Sequence, residues 1–212
     1  MNTLQYYITE QWQHTTVWEI VAVLFAVLQV LLAYYNKVLT YPAGIISTAI
    51  FTWLFGLKAG LYADASLNLY YFLMSIYGWI VWSRKKGQAS VRVTACNSRE
   101  RNTAIAIVAG AFLLLFLILR HLTDSVVPLW DALVSAFAWS GMWLMARRKI
   151  ENWILLNISN ALAIPLLFYK HLPLTALLTV FLFIVATLAY FRWKKLLRSP
   201  DNSGQEHAGA AI

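Results

Sequence analysis

The hydrophobic positions of the chain fall in long apolar stretches that are separated by short polar segments. Six stretches are predicted to be membrane-spanning helices, at residues 17–35, 43–57, 63–82, 103–119, 129–146 and 173–193. A seventh, at residues 153–169, contains asparagines and a proline, which weaken its hydropathy signal. Because about 20 apolar residues in a helix cross the roughly 30 Å hydrocarbon core of a bilayer, the pattern predicts an all-α polytopic membrane protein with seven transmembrane helices.

Two parts of this pattern repeat, at residues 17–86 and 129–195. Pairs of similar residues lie 112 positions apart in the two copies: Glu19 with Asp131, Tyr41 with Trp153, and Lys58 with Lys170. This offset contains four spans, so the two three-helix units cross the membrane in the same direction and residues 103–119 connect them. We therefore predict parallel 3+1+3 repeats, an arrangement of transporters that hold a substrate between two halves.

The predicted organisation follows from these units. It consists of an external N-terminal lead at 1–16, a first three-helix repeat at 17–86, a segment at 87–128 with a cytoplasmic loop, the connector helix and an external loop, a second repeat at 129–195, and a disordered cytoplasmic tail at 196–212. The connector has no polar residue between Thr103 and Arg120, so we expect a topological or oligomeric role for it.

Composition supports a membrane protein and excludes an ordinary soluble domain. The 212 residues are 60% hydrophobic and only 12% charged, and their mean hydropathy is +0.61. A soluble globular domain carries about 25% charged residues, so this chain lacks the polar shell that such a domain needs.

The distribution of basic residues predicts the orientation. With seven spans, three of the 17 lysines and arginines lie in loops on the N-terminal side of the membrane, namely Lys58, Arg120 and Lys170, and the other fourteen lie on the opposite side. By the positive-inside rule the N-terminus is external and the C-terminus cytoplasmic. The net charge of +8 is then explained by contact with the lipid bilayer, and no nucleic-acid partner is expected.

Polar residues at membrane depth are the candidate substrate site, because they are costly there and usually face a cavity or another helix. Trp153, Asn157 and Asn160 are spaced by four and three residues, which places them on one helix face. Asn68, Tyr71 and Trp79 follow the same spacing, together with Ser75 and Trp82. The alternative for the asparagines is hydrogen bonding between helices. Amides and aromatic faces suit a flat, hydroxyl-bearing and cationic solute.

Other kinds of site have weaker support. The four histidines, His14, His121, His171 and His207, lie outside the spans or at their edges, and the single cysteine is Cys96 in a predicted loop. We therefore expect no metal and no cofactor. The chain is not predicted to be an enzyme, because Ser75 and Ser159 have no histidine within reach by sequence; a structural membrane protein remains a further alternative.

Several motifs resemble the PnuC family of bacterial nicotinamide riboside and related vitamin transporters. They are Leu61-Tyr62-Ala63, Ile76-Tyr77-Gly78-Trp79, Trp82-Ser83-Arg84, Trp130-Asp131 and Glu151-Asn152-Trp153, and the resemblance covers about residues 17–195. It implies a SWEET-like seven-helix protein of the bacterial inner membrane, commonly a homotrimer, that imports its substrate by facilitated diffusion. A cytosolic kinase that phosphorylates the vitamin would make the uptake one-way.

The resemblance also implies roles for individual residues. Trp79, Trp153 and Asn160 match the family pattern and are assigned to the substrate site, whereas Tyr71, Asn68 and Asn157 are added from helix-face geometry. Two positions depart from the pattern: position 68 is Asn where riboside transporters often carry Gln, and Leu156 stands where Trp often follows. Both departures adjoin the proposed site. Thiamine, or another vitamin or nucleoside, is therefore the alternative substrate to nicotinamide riboside.

Overall fold

The computed structural model describes residues 15–58, 62–83, 92–123 and 125–198, and of residues 58 and 62–66 it describes the backbone alone. These residues form seven α-helices: α1 (Val17–Tyr34), α2 (Thr40–Trp53), α3 (Tyr62–Trp82), α4 (Ser98–Leu122), α5 (Pro128–Ala146), α6 (Asn152–Tyr169) and α7 (Pro173–Arg198). A π-helical turn, Leu54–Lys58, continues α2. The predicted all-α architecture is confirmed, while most of the predicted lead and most of the predicted tail lie outside the described residues.

Five of the helical segments are long and apolar enough to cross a membrane: Val17–Tyr34, Thr40–Leu57, Ser98–Leu122, Asn152–Tyr169 and Pro173–Arg198. Helices α3 and α5 have 21 and 19 residues, so they are about as long as these five segments. Their polar residues, such as Asn68 and Asp131, lower their hydropathy below that of the other five. The chain is therefore a helical protein with several apolar helices, as expected for a multi-pass membrane protein.

Helix starts and ends follow ordinary capping chemistry. Helix α1 begins with a capping box, in which Thr16 and Glu19 exchange hydrogen bonds between side chain and backbone. Asn97 and Glu100 form the same motif at the start of α4, with distances of 2.8 and 3.0 Å. Each box satisfies amide groups that have no partner inside the helix.

The turns after α1 and α5 have the same backbone geometry at positions 112 residues apart. Asn36 and Arg148 both adopt left-handed conformations, with φ of 56° and 53°. Equivalent amides then close each turn: Lys37 N donates to Leu32 O at 2.9 Å, and Lys149 N donates to Leu144 O at 3.0 Å. A left-handed residue just beyond a helix commonly ends it in this way.

A second matched contact joins the first two helices of each group. Ser47 in α2 donates to Ala22 O in α1 at 2.8 Å, and Ser159 in α6 donates to Val134 O in α5 at 2.8 Å. Both hydroxyls are buried. Each bond lets a small polar residue hold two helix backbones close together, as is common between membrane helices.

The helices pack as two groups. In the first, α2 packs against α1 and α3, and in the second, α6 packs against α5 and α7. The groups meet where α1 packs on α7 and where α3 packs on α5, while α4 packs on α5. Each group therefore contributes its first helix to one contact and its third helix to the other.

Candidate functional site

The polar face of α6 carries three predicted site residues, and two of them have buried atoms without partners. Trp153 is 1% exposed, and within the described part of the chain its Nε1 has no hydrogen-bond acceptor. Asn157 donates from Nδ2 to Thr187 Oγ1 at 3.0 Å, but its buried Oδ1 accepts no bond from any described residue. Asn160 lies further along the same face and is half-buried.

An unpaired donor and an unpaired acceptor thus lie one helical turn apart. A buried polar atom without a partner costs about 1–3 kcal/mol, so each of these two atoms would gain from a hydrogen bond to a ligand. A ligand with one acceptor and one donor would pair both atoms. This face of α6 therefore has the hydrogen-bonding capacity of a binding site.

The predicted residues of α3 lie in different environments. Asn68 and Tyr71 are half-buried, and the backbone oxygen of Tyr71 accepts a hydrogen bond from Ser75 at 2.8 Å. Trp79 is 44% exposed, although Ser75 is completely buried. Trp79 therefore lies at the edge of the buried face of α3. Helices α3 and α6 both pack against α5.

Four aromatic rings form a buried layer that joins the two helix groups: Tyr41, Trp82, Trp153 and Trp193. Tyr41 meets Trp82 edge-to-face at 5.0 Å between ring centroids, and Trp153 meets Trp193 in the same way at 5.4 Å. Trp82 and Trp193 then lie 6.1 Å apart. In this layer, the ring pair of one group has the same edge-to-face arrangement as the pair of the other.

Polar atoms of this aromatic layer bond across the groups to the ends of α1 and α5. Trp82 Nε1 donates to Ala146 O and Trp193 Nε1 donates to Ala33 O, each at 3.1 Å. Tyr41 also donates through its hydroxyl to Met145 O at 3.3 Å. These bonds link the two helix groups at one end. The sequence analysis placed Trp82 on one helix face with Trp79 and did not find this layer, although the match of Tyr41 with Trp153 in the repeat was a signal for it.

Basic residues and a chain segment cover the same end. The guanidinium of Arg148 lies 3.9 Å from the centroid of the Trp82 ring, and this arginine is 4% exposed. Thr94 N donates to Arg148 O at 3.1 Å, and Ile150 N donates to Thr94 O at 3.0 Å. Glu100 also forms an ion pair with Lys149 at 2.8 Å. The segment before α4 is thus tied to the turn between α5 and α6.

A cavity of about 380 Å³ lies beside this segment. It is lined by residues of α3, the segment before α4, α4 and the turn after α5: Tyr77, Val81, Arg92, Thr94, Glu100, Arg147 and Lys149. Cys96 lies in the same segment, where its amide donates to Glu151 Oε1 at 2.9 Å. Burial, reinforced by the nearby Glu151 carboxylate, raises the pKa of the Cys96 thiol to about 12. This thiol is therefore protonated and unreactive at neutral pH.

The opposite end of the second group carries a separate ion pair. Lys170 Nζ lies 2.6 Å from Asp131 Oδ1 and 2.7 Å from Oδ2, and Ser125 Oγ donates to the same carboxylate at 2.7 Å. The pair joins the start of α5 to the end of α6. Glu19 and Lys58 occupy the matching positions of the first group, where the side chain of Lys58 lies outside the described part. Among the described residues, no three histidine, cysteine, aspartate or glutamate side chains are grouped to hold a metal ion.

Comparisons with known proteins agree on one type of transporter. Residues 16–195 match the family described as "Nicotinamide mononucleotide transporter". The nicotinamide riboside transporter PnuC of Escherichia coli (strain K12) is 22% identical over 215 residues, which cover 89% of this chain and 90% of that protein, and PnuC of Shigella flexneri gives the same values. A crystal structure of the vitamin B3 transporter PnuC aligns with a TM-score of 0.69 at 23% identity, over 92% of this chain and 88% of that one. This likeness establishes a shared fold.

Proposed function

The chain belongs to the nicotinamide mononucleotide transporter family, and we propose that it imports nicotinamide riboside across a bacterial inner membrane by facilitated diffusion. The observation that carries the proposal is the family match over residues 16–195. The two bacterial relatives are named as nicotinamide riboside transporters. The polar face of α6 supports it, because a carrier of a polar solute needs hydrogen-bonding groups at membrane depth.

The substrate site of this proposal comprises Asn68, Tyr71, Trp79, Trp153, Asn157 and Asn160. Aromatic side chains would stack on the flat pyridinium ring, whose positive charge favours an aromatic face. Asn157 Oδ1 and Trp153 Nε1 would pair with polar groups of the solute, since neither atom has a partner among the described residues. Asn160 lies on the same face of α6 and would bind a further polar group.

A nucleoside fits this path better than its phosphorylated form. The lysines and arginines in the described helices lie toward helix ends, and the polar face of α6 contains asparagines but no cation. A phosphate group bound at Asn157 and Asn160 would meet no basic residue on that face of α6, where arginine or lysine would normally bind it. The proposal is therefore the riboside, with thiamine as the alternative, since thiamine is also a flat cation.

The proposed mechanism is rocking of two three-helix halves, α1–α3 and α5–α7, about a central site, with α4 as the connector that makes the repeats parallel. Three kinds of observation support it: the matched turns at Asn36 and Arg148, the matched serine bonds of Ser47 and Ser159, and the reciprocal α1–α7 and α3–α5 contacts. Transporters built from parallel repeats relate the halves by an axis along the membrane normal.

The aromatic layer supports a closed cytoplasmic end. Its bonds to Ala33, Met145 and Ala146 link the halves at the end that carries most of the basic residues, which the positive-inside rule places in the cytoplasm. The N-terminus is then external. In this proposal the layer opens when substrate is released, and a cytosolic kinase traps the vitamin by phosphorylation.

A homotrimer with a SWEET-like arrangement of helices completes the proposal. Helix α4 buries Ala111, Leu115 and Leu119 but leaves other large apolar side chains exposed, among them Ile105, at 61%, and Leu113, at 59%. Such a face suits lipid or a neighbouring subunit. The mass of the detergent-solubilised protein, measured by light scattering, tests the trimer.

The test of transport is uptake of radiolabelled nicotinamide riboside into proteoliposomes that contain the purified full-length protein. Because the riboside is a cation, the membrane potential is held at zero with valinomycin and equal potassium on both sides. Facilitated diffusion then predicts that the internal concentration rises to the external one and no further, with or without an imposed proton or sodium gradient. Unlabelled riboside preloaded inside should accelerate entry by exchange. Accumulation above the external level would contradict facilitated diffusion, and no uptake of the riboside would contradict the substrate.

A further inference from the structure

The hydrogen bonds of Thr187 fix the orientation of the Asn157 amide. Thr187 Oγ1 donates its single proton to Phe183 O at 2.8 Å, one turn earlier in α7. The same oxygen accepts a bond from Asn157 Nδ2 at 3.0 Å. Because the hydroxyl has one proton and that proton is used, Thr187 acts towards Asn157 as an acceptor.

This polarity determines which atom of Asn157 remains for a ligand. If the amide turned over, its oxygen would face a hydroxyl oxygen whose proton is already donated, and one of the two bonds would be lost. The observed orientation keeps both bonds and leaves Oδ1 as an acceptor. Trp153 Nε1, one turn earlier on α6, is a donor only. The two residues, one helical turn apart, therefore present one unpaired donor and one unpaired acceptor.

We propose that Thr187 is a positioning residue that makes the site select a carboxamide over a carboxylate, an inference that rests on the proposed riboside transport. A primary carboxamide offers an oxygen to Trp153 Nε1 and an N–H to Asn157 Oδ1. A carboxylate offers oxygens alone, so Asn157 Oδ1 would face a negatively charged acceptor. Nicotinamide riboside binds and nicotinic acid riboside is rejected. The aminopyrimidine of thiamine also has an adjacent acceptor and donor and could pair with the same two atoms. The inference therefore concerns only the choice between a carboxamide and a carboxylate.

The experiment measures the dissociation constants of both ribosides by calorimetry on the purified full-length protein. We expect the wild type to prefer the amide at least about tenfold, because leaving a buried acceptor unpaired weakens binding by roughly that factor or more. Thr187→Val keeps the shape but removes the hydroxyl, so the Asn157 amide can turn over. The preference should fall to within about threefold, since the restraint came from that one hydrogen bond.

Two matched variants separate positioning from packing. Thr187→Ser retains the hydroxyl and should restore the wild-type preference. Thr179→Val removes a buried hydroxyl of the same helix that makes the same kind of bond, to Thr175 O at 2.8 Å, and should leave the preference unchanged. Should Thr187→Val fail to fold, Thr187→Ala removes the same hydroxyl and should lower the preference in the same way. Asn157→Leu removes the acceptor itself and must abolish the preference.

The outcomes distinguish this inference from the proposed function. Tight binding of nicotinamide riboside with an unchanged preference in Thr187→Val overturns the role of Thr187 and leaves the transport proposal intact. Equal binding of both ribosides by the wild type overturns the selection of the carboxamide. Binding of neither riboside by the wild type overturns the proposed function, and the inference with it.

Discussion

Replacement of Gly78 by alanine should destabilise the contact between α2 and α3. A Cβ at position 78 would lie 2.5 Å from Tyr41 Cζ and 2.8 Å from Tyr41 Cδ1. Tyr41 Cε1 would lie closer still to that Cβ. Carbon atoms in contact need about 3.5–4.0 Å, so the ring would have to move by about 1.5–2 Å. It has little room, because Tyr41 is 1% exposed, packs on Trp82 at 5.0 Å and bonds to Met145 O.

The expected magnitude follows from these contacts. Overpacking of a filled core costs about 1–3 kcal/mol, and weakening of the Tyr41 hydroxyl bond adds about 1 kcal/mol. The higher helix propensity of alanine offsets about 1 kcal/mol. A net loss of about 1–3 kcal/mol corresponds to a fall in Tm of about 2–12 °C for a chain of this size.

Thermal unfolding in detergent, followed by tryptophan fluorescence, measures this loss. Gly110→Ala is the matched control, because a Cβ at position 110 would meet nothing within 4 Å. The control should leave Tm unchanged or slightly higher. If Gly78→Ala melts at the same temperature as Gly110→Ala, the close packing of Tyr41 against Gly78 is wrong, and with it the account of the aromatic layer.

Three further predictions test other parts of the structure. Trp193→Phe removes the hydrogen bond to Ala33 O, which is worth about 1 kcal/mol. The variant should therefore speed hydrogen exchange of backbone amides at the end of α1. Unchanged exchange would contradict a closing contact between the helix groups at this bond. Lys170→Met should lower Tm by a few degrees, because the partly exposed ion pair with Asp131 contributes up to about 1 kcal/mol. High salt screens this pair, so it should shrink the difference in Tm between variant and wild type. Because burial raises the pKa of Cys96 to about 12, maleimide labelling of the native protein should be slow at pH 7 and rise about tenfold per pH unit; fast labelling at pH 7 would refute this.

Sequence reasoning predicted the helices well because membrane spans are long and continuous. Each predicted span corresponds to one of the seven described helices, although boundaries differ by several residues: the predicted span at 103–119 lies within α4, which runs from Ser98 to Leu122. Caps explain this extension, because Asn97 and Glu100 begin the helix before its apolar part. The resemblance to the PnuC family is confirmed by the family match.

The contacts within the aromatic layer could not be predicted from the sequence in the same way. In a bilayer, positions that face lipid and positions that face other helices are both apolar, so periodicity does not tell which aromatic is buried. Trp79 and Trp82 were placed on one face, yet Trp79 is 44% exposed and Trp82 is 6% exposed. The bonds of Trp82 and Trp193 go to backbone carbonyls of other helices, and backbone acceptors leave no trace in the residue pattern. The six proposed site residues remain a prediction.

The most direct test of the central claim is calorimetric binding of nicotinamide riboside and of thiamine to the purified protein and to two variants. Asn160→Leu removes a polar group from the proposed face of α6, whereas Ser159→Ala changes a neighbour that bonds to Val134 O instead. The account predicts riboside binding that survives Ser159→Ala and is lost in Asn160→Leu. Binding of thiamine alone would contradict the substrate, and riboside binding unaffected by Asn160→Leu would contradict the site.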